Sequence, residues 1–438
     1  MGIKKGNKLF RFGLIASAAA LMLGACSSDS DKQGEKGADG KETITFINHK
    51  TDWSGNGKWD EYIAEFNEKH PDIEVKVETI TDYAGQMQIR MNSKDYGDVL
   101  MVPTTIKPED NANFFEPLGD QKELEEKYLL LTDRAYDGVS YGIPIAVNTT
   151  GVLVNMKVFN DAGITEFPRT PEDFLTALGK IKESNPDITP LYTNYASNWA
   201  MSNWDFVRES AAGDPNFTNE LTTDKTPFDA GKPMNTIYKL LYDTVKEGYS
   251  EADPTTTDWE QSKQDLADGK IAAMVLGSWA IEQVQALAEN PEDIQFAAFP
   301  TTHGGKQYTT IGGDYNIGIN VNSKHKEAAR TFLDWFVEES NYAADTGGIS
   351  PKVGAQLPAA LKSMETAGVE FFQPTPAPAG KESLFADINN SSEIGLGTTD
   401  ATKQRIVDSA KGNTKESFED IMKDLNEKWG KAIEEVGQ

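Results

Sequence analysis

Thr43-Ile44-Thr45-Phe46-Ile47, then Trp59, Tyr62, Ile63 and Phe66, then Ile73-Glu74-Val75-Lys76-Val77-Glu78 decide the fold class. The first run is short and β-rich. The second set recurs at the three-to-four-residue spacing of one helix face, and the third alternates apolar with charged residues, the period of a half-buried strand. His70-Pro71 stops the helix between the two strands, because proline disfavours the helical conformation of the residue before it. Val99 to Val102 then forms a continuous apolar strand closed by Pro103. Helix and strand in turn predict an α/β architecture with a largely parallel sheet.

The second half of the chain continues in this style without an internal sequence repeat. Thr170-Pro171-Glu172-Asp173 places a capping hydroxyl, a first-position proline and first-turn acids ahead of Phe174, Leu175, Leu178 and Ile181. Thr257-Asp258-Trp259-Glu260 reads as a capping box, with Gly269 ending that helix and Ile271 to Leu276 following as a buried strand. A helix from about Lys324 buries Ala328, Phe332 and Phe336 with Ala329, Leu333 and Val337. The last helix does the same with Phe418, Ile421, Met422, Leu425 and Trp429.

Ahead of the globular region, Lys4, Lys5, Lys8 and Arg11 precede an apolar run, Leu14 to Leu23, that ends in Leu23-Gly24-Ala25-Cys26. This is the layout of a secretory signal peptide over residues 1–25, and the run is short for a membrane span. The stop resembles the bacterial lipobox, in which the signal is cut before a cysteine that is then acylated, so Cys26 is the expected lipidation site. Residues 26–42 lack the apolar side chains needed to fold and read as a lipidated cysteine and flexible tether.

Cys26 is the only cysteine, so the exported domain makes no internal disulfide and no cysteine-based metal site. Loss of the four basic residues of the signal takes the formal charge from -27 to -31, a surface that repels a phosphate backbone and argues against nucleic acid as a partner. High acidity also keeps a secreted protein soluble and monomeric. Roughly 395 mature residues exceed a single core, so two domains are expected.

No constellation for catalysis stands out. Gly-x-Ser-x-Gly, phosphate-loop and dinucleotide fingerprints are absent. His49, His70, His303 and His325 have neither the spacing nor the partners of a zinc site. No calcium loop and no cofactor motif is present, and the chain is not expected to be an enzyme. The 69 acidic residues leave a chance carboxylate pair open, and with it the alternative of a surface enzyme acting on glycans.

Eight tryptophans sort into two groups. Trp59, Trp335 and Trp429 lie on helical apolar stripes and read as core. Trp53, Trp199, Trp204, Trp259 and Trp279 sit in turns or at helix starts among Asn, Asp, Ser and Thr. A sugar ring has an apolar C–H face that suits an indole and a hydroxylated edge that suits Asp and Asn, so the second group points to carbohydrate.

Four ordered stretches carry a resemblance. They are Asp268-Gly269-Lys270 through Gly277-Ser278-Trp279; Tyr141-Gly142-Ile143-Pro144 with Asn148 and then Val152 to Phe159; Phe299-Pro300 through Gly312-Gly313-Asp314-Tyr315; and Gly347-Gly348-Ile349-Ser350-Pro351. From about Thr43 to the C-terminus, the chain resembles the family 1 extracellular solute-binding proteins of ABC importers. Val154 stands where members commonly carry the tyrosine of a Tyr-Asn pair.

The resemblance implies a two-lobed, type II periplasmic-binding-protein-like fold. Each lobe is then a mixed, largely parallel sheet flanked by helices, built from discontinuous segments and joined by hinge strands. Residues 43–147 and 304–342 are expected in the N-lobe, and residues 148–303 and 343–438 in the C-lobe. Closure of the lobes on a ligand follows the hinge motion of binding proteins.

The implied function is extracytoplasmic capture of a mono- or oligosaccharide by a monomer anchored to the membrane through Cys26, with delivery to ABC permease subunits. Candidate ligand-binding residues are Asp52, Trp53, Asn148, Trp199, Trp204, Trp279, Asp314 and Tyr315. The indoles are expected to stack on sugar rings, and Asp52, Asn148 and Asp314 to partner hydroxyls. A polyol, sugar phosphate or peptide remains the alternative within the binding class; a phosphorylated ligand lacks an Arg or Lys cluster among these residues.

Overall fold

A computed structural model of the protein describes residues 40–437, apart from residues 82, 104, 105 and 379 and the side chains of residues 52, 84 and 133. The expected signal, Cys26 and most of the tether therefore lie outside the described residues.

The opening α/β reading holds. The strand Glu42–Asn48 pairs in parallel with Ile73–Thr79, Glu42 opposite Ile73 through Asn48 opposite Thr79. Between them the helix Lys58–Lys69 buries Trp59, Tyr62 and Phe66, one side chain per turn on one face. Val99–Met101 adds a third parallel strand. Asn316–Ile319 and Ile143–Pro144 then complete a five-stranded sheet with antiparallel pairings. Phe46 lies at the centre of this lobe's core, 5.5 Å from Trp59, 5.1 Å from Phe332 and 5.5 Å from Phe336. The last two come from the helix Lys326–Glu338, whose apolar stripe is the one read from sequence.

A second sheet centres on the long strand Val147–Asn155, antiparallel to Ile271–Gly277 on one side and to Ile294–Ala297 and Tyr308–Gly313 on the other. Thr189–Leu191 and Glu370–Phe372 extend its edges in parallel. Both sheets are therefore mixed, and the second is less parallel than helix–strand alternation suggests. Its central strand arrives from the other lobe and runs against all three of its neighbours.

The strand Tyr308–Gly313 belongs to this second sheet, so the return to the first lobe falls at Asp314–Tyr315 and not at the expected residue 304. Gly304 and Gly305, with φ of 59° and 81°, form a two-residue hairpin turn closed by His303 and Lys306. Positive φ at both central residues is what such a turn requires of its sequence, so this Gly-Gly marks a hairpin and not a boundary.

Three crossings between the lobes run side by side. Asp314 donates its N–H to the Ala146 carbonyl at 2.9 Å, and Ile145 donates to the Tyr315 carbonyl at 3.0 Å. Val147 and Ile349 exchange a pair of backbone bonds of 2.8 and 2.7 Å. A side chain at Gly348 would press within 3.1 Å of the Ala146 methyl, so glycine there allows the strands to approach. Among the described residues no helix is long and apolar enough to cross a membrane, and no three His, Cys, Asp or Glu side chains are grouped to hold a metal ion.

Candidate ligand-binding cleft

Three tryptophans converge on the second lobe, each delivered by a different element. Trp279 leaves the end of the strand Ile271–Gly277, Trp259 opens the helix Trp259–Ala267, and Trp199 rides the loop after Thr189–Leu191. Their ring centroids are 5.3 Å apart for Trp199 and Trp259, 5.6 Å for Trp199 and Trp279, and 5.7 Å for Trp259 and Trp279. The planes are inclined at 82°, 49° and 64°. Edge-on and tilted packing of this kind suits the indole quadrupole. Trp199 keeps 39% of its surface exposed, and the other two are half-buried.

The loop that carries Trp199 is held by its backbone. Asn194 and Asn198 adopt left-handed φ of 56° and 60°, which asparagine tolerates better than most residues. The buried Asn194 amide accepts from Ser262 Oγ at 3.1 Å. Gln404 Nε2 donates to the Tyr195 carbonyl at 2.9 Å, and Ala196 N–H donates to Thr257 Oγ1 at 2.7 Å. Thr257 is thus committed to this loop, and the helix it was expected to cap is capped by Asp258, which accepts from Gln261 N–H at 2.8 Å.

The polar half of the site lies at the hinge beside Trp279. Ser278 Oγ accepts from Thr149 N–H at 3.1 Å and donates to Asn148 Oδ1 at 3.3 Å. Asn148 in turn hydrogen-bonds Asp314, which also accepts from Tyr315 N–H at 2.8 Å. Burial pushes the Asp314 carboxyl above its ordinary value; the Tyr315 amide, the Lys50 charge and Asn148 pull it back only in part. Tyr315 packs against His49 with centroids 4.3 Å apart and planes tilted by 32°, and meets Tyr83 edge-on at 5.7 Å; burial raises its hydroxyl. An amide, a carboxylate and a phenol beside an indole supply donors and acceptors for the edge of a sugar.

The candidates therefore divide. Trp199 and Trp279 come together on the second lobe, and Asn148, Asp314 and Tyr315 come together at the hinge. Trp53 and Trp204 do not join them as stacking platforms. Trp53 is 6% exposed, packed 5.0 Å from Trp59, 5.1 Å from Tyr62 and 5.2 Å from Tyr342. Trp204 is 1% exposed and meets Phe299 edge-on inside the larger core. Both are consumed by packing, which an aromatic with one free face is not. Asp52 sits in the short helix Thr51–Asn56, and its side chain lies outside the described residues.

Trp259, left out of the candidate set, completes the three-ring cluster. Its signal was the setting it shares with the others, a helix start among Thr and Asp. Glu282 is a second addition. Burial and the nearby Asp345 carboxylate raise its carboxyl, and it reaches from just past Trp279 toward the third crossing, where Tyr62 donates to Asp345 at 2.8 Å.

With this geometry in place, comparison with known proteins is specific. The sequence profile of the bacterial extracellular solute-binding proteins matches residues 52–343. A manno-oligosaccharide specific solute binding protein of Bifidobacterium animalis subsp. lactis, solved with mannotriose, is 41% identical and superposes with a TM-score of 0.83, covering 91% of this chain and 96% of that one. A binding protein of an ABC transporter from the same organism, solved with mannobiose, is 40% identical with a TM-score of 0.83 over 92% and 96% of the two chains. The diacetylchitobiose binding protein of Streptomyces coelicolor is 26% identical over 326 residues, 71% of this chain and 73% of its own.

Proposed function

The chain belongs to the bacterial extracellular solute-binding proteins, and from that premise we propose that it captures a short manno-oligosaccharide between its lobes for an ABC importer. The observation that carries the ligand class is the cluster of Trp199, Trp259 and Trp279 beside the hinge set of Asn148, Asp314 and Tyr315. The choice of mannose rests on the two Bifidobacterium proteins that share about two residues in five with this chain. Its action is binding without turnover. The ligand bridges the second lobe's indoles and the hinge, so that it stabilises the closed form only when both are engaged.

Residues 43–147 and 314–342 act as the first lobe and residues 148–313 and 343–438 as the second. The chain is held outside the cell by a lipid on Cys26, the reading that Leu23-Gly24-Ala25-Cys26 supports. It works as a monomer with the permease subunits as partners.

Calorimetry with mannobiose and mannotriose tests the ligand. One molecule bound per chain, with no shortened product afterwards, is expected; failure of both to bind overturns the mannose assignment, and hydrolysis overturns the assignment as a binding protein. A Cys26→Ala variant is expected to leave the membrane fraction and appear in the medium.

A further inference from the structure

One glycine in the cleft is there for space and not for backbone freedom. Gly277 ends the strand Ile271–Gly277 opposite Thr150, fully buried, with φ of -81° and ψ of 156°. That is ordinary extended backbone, open to any L-residue. Gly347, at φ of 70° on the third crossing, is the contrasting case in which the backbone itself favours glycine. Inside a strand glycine is a cost to folding, since it loses the most chain entropy and packs nothing. Something outside the backbone must therefore account for its presence.

That something is the indole two residues on. A methyl group at position 277 would stand 2.5 Å from Trp279 Cδ1, closer still to Nε1, and 3.3 Å from Cε2. Carbon atoms in good contact lie about 3.5–4.0 Å apart, so the ring would have to swing away. It has little room to do so, because Trp199 and Trp259 stand 5.6 and 5.7 Å from it. A swing of Trp279 large enough to clear a methyl at 277 would disturb its packing on Trp199 and Trp259.

We propose that Gly277 is a positioning residue for ligand binding: its missing Cβ is the seat of the Trp279 indole, and it sets the affinity for carbohydrate through that ring. The proposal rests on the cleft being the carbohydrate site. It assigns the glycine a role distinct from strand formation, and it makes the prediction unusual for a buried sheet position that alanine is tolerated by the fold and not by the ligand.

The test is a double-mutant cycle of Gly277→Ala and Trp279→Ala, with mannotriose binding by calorimetry and the melting temperature and near-ultraviolet circular dichroism of the unliganded protein. Gly277→Ala is expected to raise Kd about tenfold, with the protein still folding cooperatively and the tryptophan bands altered. In the Trp279→Ala background the same change is expected to move Kd less than about twofold, because coupled residues are not additive. Wild-type affinity in Gly277→Ala overturns the proposal, as does an equal loss in both backgrounds. Wild-type affinity in Trp279→Ala overturns the assignment of the site itself, a separate result. If Gly277→Ala does not fold, rescue by Trp279→Ala supports the clash, and failure of the double variant shows that the glycine serves the sheet.

Discussion

Each lobe gathers tryptophans into one cluster, and the two clusters end differently. In the first lobe Trp53 packs among Trp59, Tyr62 and Tyr342 and is 6% exposed; in the second Trp199 packs on Trp259 and Trp279 and keeps 39% of its surface. The difference is in what holds the chain. The short helix Thr51–Asn56 has no side-chain cap at its start, and the buried Trp53 ring packs it onto the lobe, with a 2.6 Å hydrogen bond between the Ser54 and Thr79 hydroxyls beside it. The loop around Trp199 is fixed by Thr257 and Gln404, which hold the Ala196 and Tyr195 backbone, and by the Asn194 side chain, which accepts from Ser262. A ring whose chain is already tied by hydrogen bonds can keep surface exposed, as Trp199 does.

The sharpest way to break this comparison is to remove a ring from the first group. Trp59→Ala and Trp53→Ala are expected to cost about 3–5 kcal/mol of stability, the usual loss for a large buried aromatic, measured by urea denaturation. Affinity of the remaining folded protein for mannotriose should change little. A Trp53→Ala protein of normal stability and poor affinity would place that indole in the site and erase the distinction.

The second group should respond in the opposite sense. Trp279→Ala is expected to weaken mannotriose binding by about 1–3 kcal/mol, as for an anchor in a desolvated pocket, with denaturation midpoints close to wild type. Trp199→Ala should lose less, about 0.5–1.5 kcal/mol, since its contribution is one partly exposed face and an edge contact. Equal losses at the two positions would mean that the ligand rests on the cluster as a whole and that Trp279 is not the anchor.

The sequence makes the two sheets and their helices legible because both periods are local. Ile44 and Phe46 alternate toward one core, and Trp59, Tyr62 and Phe66 recur on one helix face. The fate of the tryptophans is not local. Asn203 and Asp205 beside Trp204 look like a hydroxyl-binding loop, yet the Asp205 carboxylate is buried against Lys403, 2.5 Å away in space and 198 residues away in sequence, with Tyr238 and the Gly397 amide completing its hydrogen bonds. A buried ion pair and a sugar site draw on the same residue types, and only the fold separates them. Trp53 fails for a simpler reason. Ser54, Gly55 and Asn56 are exposed on a short helix whose other side carries the ring inward. Asn148, Asp314 and Tyr315 were placed by resemblance, and no spacing rule links positions brought together by two chain crossings.

Asp314 lies where the chain crosses between the lobes, and its charge provides the finest test. Burial raises its pKa above the ordinary value of 3.8, so between that value and the folded one the native protein holds more proton than the unfolded chain. Stability then falls as pH rises through this window: the contribution is fully present below 3.8 and is lost once the folded carboxyl ionises. Asp314→Asn removes the titration and keeps the shape. Relative to wild type, the unliganded variant is expected to gain stability on going from acid to neutral pH, by less than about 1 kcal/mol because three neighbours already offset part of the burial cost. On the proposal that the Asp314 carboxylate partners a sugar hydroxyl, the variant's affinity for mannotriose should fall at neutral pH. Denaturation midpoints of the two proteins across the acid range decide the matter. A constant difference would mean that Asp314 titrates as it does in the unfolded chain, and that the charged carboxylate is not held at a cost until ligand arrives.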